Sequence, residues 1–179
     1  TSSPHPRWSE QNPMDWWNAV KDTVPKSIAQ AKIKANEIAA ISFSAGAHTP
    51  VLEDANGELV RPAILWNDQR SGQETQELKD RHWDRILEIG FNSPAPTWTL
   101  PQFLWLSRHE PEALKKTKRV YVAKDWLRSR LTNTWETDAT EAVGTLLFDA
   151  KAGKWSEELC KLAGCSINTL PPIVKPTDI

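Results

Sequence analysis

The sequence has little of what usually reveals a role at first sight. It has two cysteines, Cys160 and Cys165, with no second Cys or His pair beside them. That pattern gives neither a zinc site nor a disulfide framework, and ordinary reduced thiols are expected. The seven glycines are scattered, so no glycine-rich loop is present to cradle a phosphate. No apolar run is long enough to cross a bilayer, which argues against a membrane. The formal net charge of -1 leaves no basic excess for nucleic acid. The opening Thr1-Ser-Ser-Pro-His-Pro has neither an initiator methionine nor a signal pattern, and reads as cut from a longer chain of cytoplasmic type. One tyrosine stands against ten tryptophans in 179 residues. That length suits one domain, or one lobe of something larger, with a real core.

What is present is organised around residues 38–70. Ile38 to Phe43 is apolar, β-branched and aromatic, the composition of a buried strand. Ser44-Ala45-Gly46-Ala47 is a narrow stretch that a ligand or another backbone can approach closely, and His48 follows. Thr49 to Leu52 resumes extended structure, and Asp54-Ala55-Asn56-Gly57 signals a hairpin leading back to Trp66. If the two strands lie side by side, His48 and the Trp66 to Arg70 cluster open toward one sheet edge, where α/β proteins place ligands.

Elsewhere strands alternate with helices. Asn12 caps and Pro13 opens a helix expected to reach Val24, where Pro25 interrupts it before a continuation over Lys26 to Lys34. Of Trp16 and Trp17, one is expected to pack inward and the other along the surface. Ser71 with Glu74 matches a capping box for a helix toward Gly90. Phe91 to Pro101 is a loop stiffened by three prolines and carrying Trp98, and a helix follows from Pro101 to near Pro111. Then come a strand over Arg119 to Ala123, a helix over Lys124 to Leu131, a turn or helix capped by Asp138, a turn at residues 151–154, and a helix from Ser156 to Gly164. The sum is an α/β fold with a mixed sheet and flanking helices.

Several phrases, taken together, resemble the FGGY family of carbohydrate kinases, and within it the xylulokinases. They are Trp8-Ser-Glu-Gln-Asn-Pro-Met-Asp-Trp-Trp; Ser44 to Asp54, similar to the family's Ser-Gly-Gln-Met-His-Gly phrase and the strand after it; Arg61-Pro-Ala-Ile-Leu-Trp-Asn-Asp-Gln-Arg-Ser; Pro101 to Glu112; Val122-Ala-Lys-Asp-Trp-Leu; and Thr137 to Asp149. Their order and spacing are kept over essentially the whole chain. The resemblance implies an actin-like, ribonuclease H-like lobe, residues 1–179, that binds a small-molecule sugar. It would pair in the whole kinase with a C-terminal lobe, and ATP with Mg2+ would lie in the cleft between them. Carried over by position, Ala47 and His48 would contact the sugar, with Thr97 and Trp98 lining the same pocket. Read from the residues and not from the resemblance, Asn67, Asp68 and Arg70 are expected to orient the pocket from behind, the plainer reading of Asp68 being a surface charge or a cap for the helix at Ser71. The family's phosphate turn and catalytic aspartate would lie before and after this chain. Asp178, in Lys-Pro-Thr-Asp-Ile, looks like the linker ahead of that aspartate. This fragment should therefore hold no catalytic residue, metal or nucleotide of its own.

The chain departs from the family where Ala45, Gly46 and Ala47 stand for Gly, Gln and Met, positions that shape the pocket. D-xylulose is the expected substrate and gluconate the nearest substitute. A gluconate site would need a cation, for which Arg70 is the nearby candidate. Two other classes compete: a carbohydrate-binding module with a line of exposed tryptophans, and a protein-interaction domain. Apolar surface and open sheet edges left by truncation would also favour a homodimer. For single residues the plainer readings are that Trp66, Trp105 and Trp126 fill the core and that Asp138 caps a helix.

Overall fold

The computed structural model describes residues 1–176, so Asp178 lies outside the described residues. In chain order the elements are β1 (Glu10–Gln11), α1 (Pro13–Ala31), β2 (Pro50–Glu53), β3 (Ala63–Ile64), α2 (Gly72–Gly90), α3 (Thr99–His109), α4 (Pro111–Lys116), β4 (Arg119–Val122), α5 (Ala123–Thr132), β5 (Thr137–Asp138), α6 (Ala139–Gly144), β6 (Phe148–Asp149), β7 (Lys154–Trp155), α7 (Glu157–Ala163) and β8 (Ile173–Val174).

β2 sets the layering. It is buried at every position and pairs antiparallel with β4, Pro50 opposite Val122 and Glu53 opposite Arg119. Because successive side chains point to opposite faces, Val51 and Leu52 enter different cores. Leu52 joins Leu78, Ile86, Phe103, Leu106 and Leu159 of α2, α3 and α7. Val51 joins Ala63, Tyr121 and Trp126, covered by Trp16 and Trp17 of α1. Helices thus pack on both faces of a strand pair, the α/β arrangement expected from the sequence. Both strand directions occur, with β5–β8 parallel and β1–β3, β2–β4 and β6–β7 antiparallel. Among the described residues, however, the ladders stay as four separate pairs.

The buried end of β2 carries a charge that packing alone would not tolerate. Glu53 accepts from the Trp126 indole N–H at 2.8 Å and from Arg130 at 2.5 Å, and the Arg130 guanidinium lies 4.6 Å from the Trp126 ring centre. A buried carboxylate is stable only when paired in this way.

Several expectations are corrected. Ile38 to Phe43 forms no strand. Its backbone finds no ladder partner among the described residues, and all but Phe43 is exposed; strand composition is not enough without a neighbour to take its N–H and C=O groups. α1 runs unbroken through Pro25 to a left-handed cap at Lys32. The proline removes one N–H in a stretch exposed to water, where the freed carbonyl can be solvated. Trp16 and Trp17 are both half-buried, on the same core. The hairpin turn forms, with Gly57 at φ +78° and Asp54 accepting from the N–H groups of Asn56 and Glu58, but after one bridge, Glu53 to Leu59, the chains part and β3 pairs with β1. The capping box at Ser71 is absent. Its hydroxyl donates to the Pro96 carbonyl at 2.8 Å, while Glu74 is buried beside Arg108 and His109. α3 begins two residues earlier than Pro101. The caps at Asn12, Asp138, Ser156 and Gly164 are where the sequence places them, and Trp105 and Trp126 are core residues.

The α7 cap seats the helix on α3. Gly164 has φ +72°, and a Cβ there would lie 2.6 Å from the Ser107 Cβ. Gly164→Ala should therefore destabilise the purified protein by about 2 kcal/mol or more, adding left-handed strain to a steric clash. Urea unfolding measures this, and an unchanged midpoint would show that the cap does not constrain the packing.

Candidate functional site

The chain reaching β2 from the small-residue stretch turns sharply at His48, whose φ of 43° lies in the left-handed region. For a residue with a side chain this costs on the order of 1 kcal/mol and persists only where neighbours over-determine it. Here they do. Thr99 Oγ1 at the start of α3 donates to the His48 carbonyl at 2.9 Å. The His48 N–H makes a long contact, 3.5 Å, to Glu141 Oε2 of α6. The imidazole stacks on Trp98, with ring centres 4.6 Å apart and planes 23° from parallel. Gly144, the last residue of α6, lies beneath the stack. A Cβ there would sit 3.6 Å from the imidazole and 4.0 Å from the indole.

The hydrogen bonding assigns the tautomer. His48 Nδ1 lies 3.1 Å from the Thr97 carbonyl oxygen. A carbonyl only accepts, so Nδ1 carries the proton and Nε2 is left as an acceptor. Burial pushes the His48 pKa below the ordinary imidazole value, partly opposed by the Thr97 carbonyl, so the neutral form is favoured. Close by, burial raises the Glu141 pKa, against the pull of Lys124. Lys124 itself is held between Asp125 and Asp138, at 2.8 Å from each.

Beside this stack, across residues 46–49, lies a cavity of about 490 Å³ walled by Gly46, Thr49, Leu65, Trp66 and Asn67. Trp66 is 57% exposed, which corrects its expected place in the core: the indole lies over Gly46, where a Cβ would come within 3.0 Å of it. A small residue at position 46 is what lets the indole lie there.

Of the residues singled out from sequence, His48, Thr97 and Trp98 come together and Ala47 is exposed next to them. Asn67 faces the cavity instead. Asp68 and Arg70 turn away from both into a buried network. Asp68 accepts from the Ser9 N–H at 2.6 Å and from the Arg70 guanidinium at 2.9 and 3.0 Å. Arg70 also pairs with Glu10 at 2.7 Å and lies over the Trp8 ring, 3.9 Å from its centre. Glu10 in turn holds Arg61, which reaches Glu110. Asp68 acts on the cavity only through Ser9, one of its lining residues.

Sequence reading missed Gln102. It is fully buried, and its amide donates to the Leu65 carbonyl at 3.4 Å and to the Thr97 carbonyl at 3.3 Å. It thereby ties the end of the β3 segment to the Thr97-Trp98 loop. The available signal was an amide side chain on the apolar face of α3, between Leu100 and Phe103. Glu141 was also missed, since helix capping by Asp138 accounted for its segment.

With this geometry in place, comparison with known proteins is decisive. The model of the FGGY family of carbohydrate kinases, N-terminal domain, matches residues 1–179. The chain belongs to the FGGY family. It is 35% identical over 171 residues to the xylulose kinase of Bacillus subtilis and 36% identical over 176 residues to that of Lactococcus lactis, covering 96% and 98% of this chain. It spans only 34% and 35% of the length of those two relatives. Among solved structures, a xyloylose kinase from Brucella ovis superposes with a TM-score of 0.90 at 34% identity, over 97% of this chain and 36% of that one. A gluconate kinase from Lactobacillus acidophilus also gives 0.90, at 26% identity, over 99% of this chain and 36% of that one. The actin-like α/β lobe expected from the sequence is thus the fold of this FGGY domain, whose described residues include no helix long and apolar enough to cross a membrane.

Removing Asp68 tests the buried network. Asp68→Ala leaves Arg70 only Glu10 as an ionic partner and strips the Ser9 N–H of its acceptor. The expected cost is about 3 kcal/mol in urea unfolding, as for other broken buried pairs. A loss below about 1 kcal/mol would reduce the network to the worth of a surface pair.

Proposed function

We propose that this chain is the sugar-holding lobe of an ATP-dependent kinase that phosphorylates D-xylulose to D-xylulose 5-phosphate. The observation that carries the reading is the His48–Trp98 stack. Nδ1–H bonded to Thr97 presents Nε2 to accept a hydrogen bond from a sugar hydroxyl, and the indole supplies an apolar wall for the C–H face of a small polyol. Ala47 is exposed beside His48, and its small side chain leaves room there. Trp66 and Asn67, on the far side of residues 46–49, offer a second aromatic face and an amide. The likeness to xylulose kinases over nearly the whole chain supports the substrate class.

Phosphoryl transfer needs a nucleotide, a metal that neutralises its phosphates and a base for the hydroxyl proton. This chain's residues do not fit the nucleotide, because its glycines form no phosphate-cradling turn. Nor do three or more acidic, His or Cys side chains gather to hold a metal among the described residues. We assign ATP, Mg2+ and the catalytic base to the remainder of the protein, including a C-terminal lobe that would close over the sugar. By itself this chain should turn over no ATP with any pentulose, and measurable turnover by the purified fragment would refute that division of labour.

Two other readings fare less well. Gluconate would need a cation for its carboxylate, and the Arg70 side chain, the cation nominated from sequence, is fully enclosed and paired with Asp68 and Glu10. A binding module would show a strip of exposed tryptophans, whereas only Trp66 and Trp83 of the ten are exposed, on a loop and on α2.

In the full-length enzyme, His48→Ala should raise the KM for D-xylulose about tenfold, the loss of one hydrogen bond worth about 1.4 kcal/mol. An unchanged KM would remove His48 from the pocket. The KM of the unaltered enzyme should be flat at neutral pH and rise on acidification, once the pH falls below the ordinary imidazole value of 6.5 and protonation turns Nε2 into a donor. Because burial lowers the His48 pKa, the rise should begin on the acid side of that value. A KM that falls on acidification, with the fold intact, would contradict the assignment of Nε2 as the acceptor.

A further inference from the structure

Far from the sugar site along α7, the two cysteines come together through the way that helix ends. The Gly164 N–H donates to the Lys161 carbonyl at 3.2 Å and the Cys165 N–H to the Cys160 carbonyl at 3.0 Å, with Gly164 left-handed between them. This double closure brings the side chains of the residue inside the last turn and the residue just beyond the cap face to face, where an apolar contact is usual. In this chain both are cysteines. Cys160 is buried in the main core, and Cys165 is half-buried at its edge. Cys165 borders a cavity of about 530 Å³ that also touches Ser107, Leu114, Lys115 and Thr169. Ser107 packs against Gly164 and holds the cap in register, so the pair is positioned by backbone geometry.

We propose that Cys160 and Cys165 are an oxidative modification site, closing to an intramolecular disulfide when the protein meets a hydroperoxide. The proposal stands apart from the sugar-site reading and concerns residues that reading does not use. In the reduced pair the Cys165 thiol donates to the Cys160 sulfur, which lowers the Cys160 pKa and raises that of Cys165. The thiolate that forms first is therefore on Cys160, and the cavity at Cys165 gives a peroxide its approach to the pair. The Cys160 thiolate attacks the peroxide O–O bond, takes up OH to become a sulfenic acid and releases hydroxide, which is protonated to water. Cys165 Sγ then attacks that sulfur, loses its proton and expels a second water. Two thiols and one hydrogen peroxide give one disulfide and two waters, and the two electrons lost by sulfur reduce the peroxide.

Trypsin makes the test direct, since it cuts after Lys161, between the two cysteines. The full-length protein is treated with a small excess of hydrogen peroxide, alkylated with iodoacetamide and digested, with circular dichroism recorded alongside. The expected product is the Trp155–Lys161 peptide joined to the peptide beginning at Leu162, two hydrogens lighter than the separate pair and released by dithiothreitol. It should be absent from Cys165→Ser, in which no thiol is left to resolve an oxidised Cys160. Recovery of both cysteines alkylated separately, conversion of either to sulfinic acid in a protein of native dichroism, or a joined peptide that forms only after unfolding would each overturn the proposal.

Discussion

The β2–β4 ladder is the constraint on which the rest of the fold depends. Four residues with no exposed face must satisfy two different cores, so the helices on either side cannot shift without opening one of them. Because the ladder is fixed, so is its leading end, where the chain enters from residues 46–49. That end sets where the histidine turns, and the first residues of α3 meet it there through Thr99. A polar site on loops is credible only above such a scaffold.

The sequence made the fold legible where local chemistry and packing agree. Asn12, Asp138, Ser156 and Gly164 mark helix ends because each satisfies orphan backbone groups nearby in the chain, and the structure uses each one so. It was less legible where a distant partner decides. Ile38 to Phe43 has the composition of a strand, yet composition supplies no neighbour. Ser71 has the right residue three places on for a capping box, but a carbonyl 25 residues away takes its hydroxyl. Pro25 reads as a break because propensity scales describe an isolated helix.

The candidate site was legible in part for the same reason. His48 and Trp98 are 50 positions apart and could be paired only through the family's phrases, not through spacing. Most tryptophans belong in the core, and only the small residue at 46 shows why Trp66 lies open. Asp68 and Arg70 follow Trp66 along the chain and so point toward the site in sequence. The chain reverses at that point and turns their charges inward, where Ser9, Glu10 and Trp8 meet them. The buried charges of Asp68, Arg70 and Glu10 hold strand ends together.

The buried amide of Gln102 has a further consequence. By donating to the carbonyls of both Leu65 and Thr97, it cross-links the segment carrying the Trp66 indole to the loop carrying the Trp98 indole. Displacing either segment therefore means losing one of these hydrogen bonds and leaving a buried amide or carbonyl unpaired.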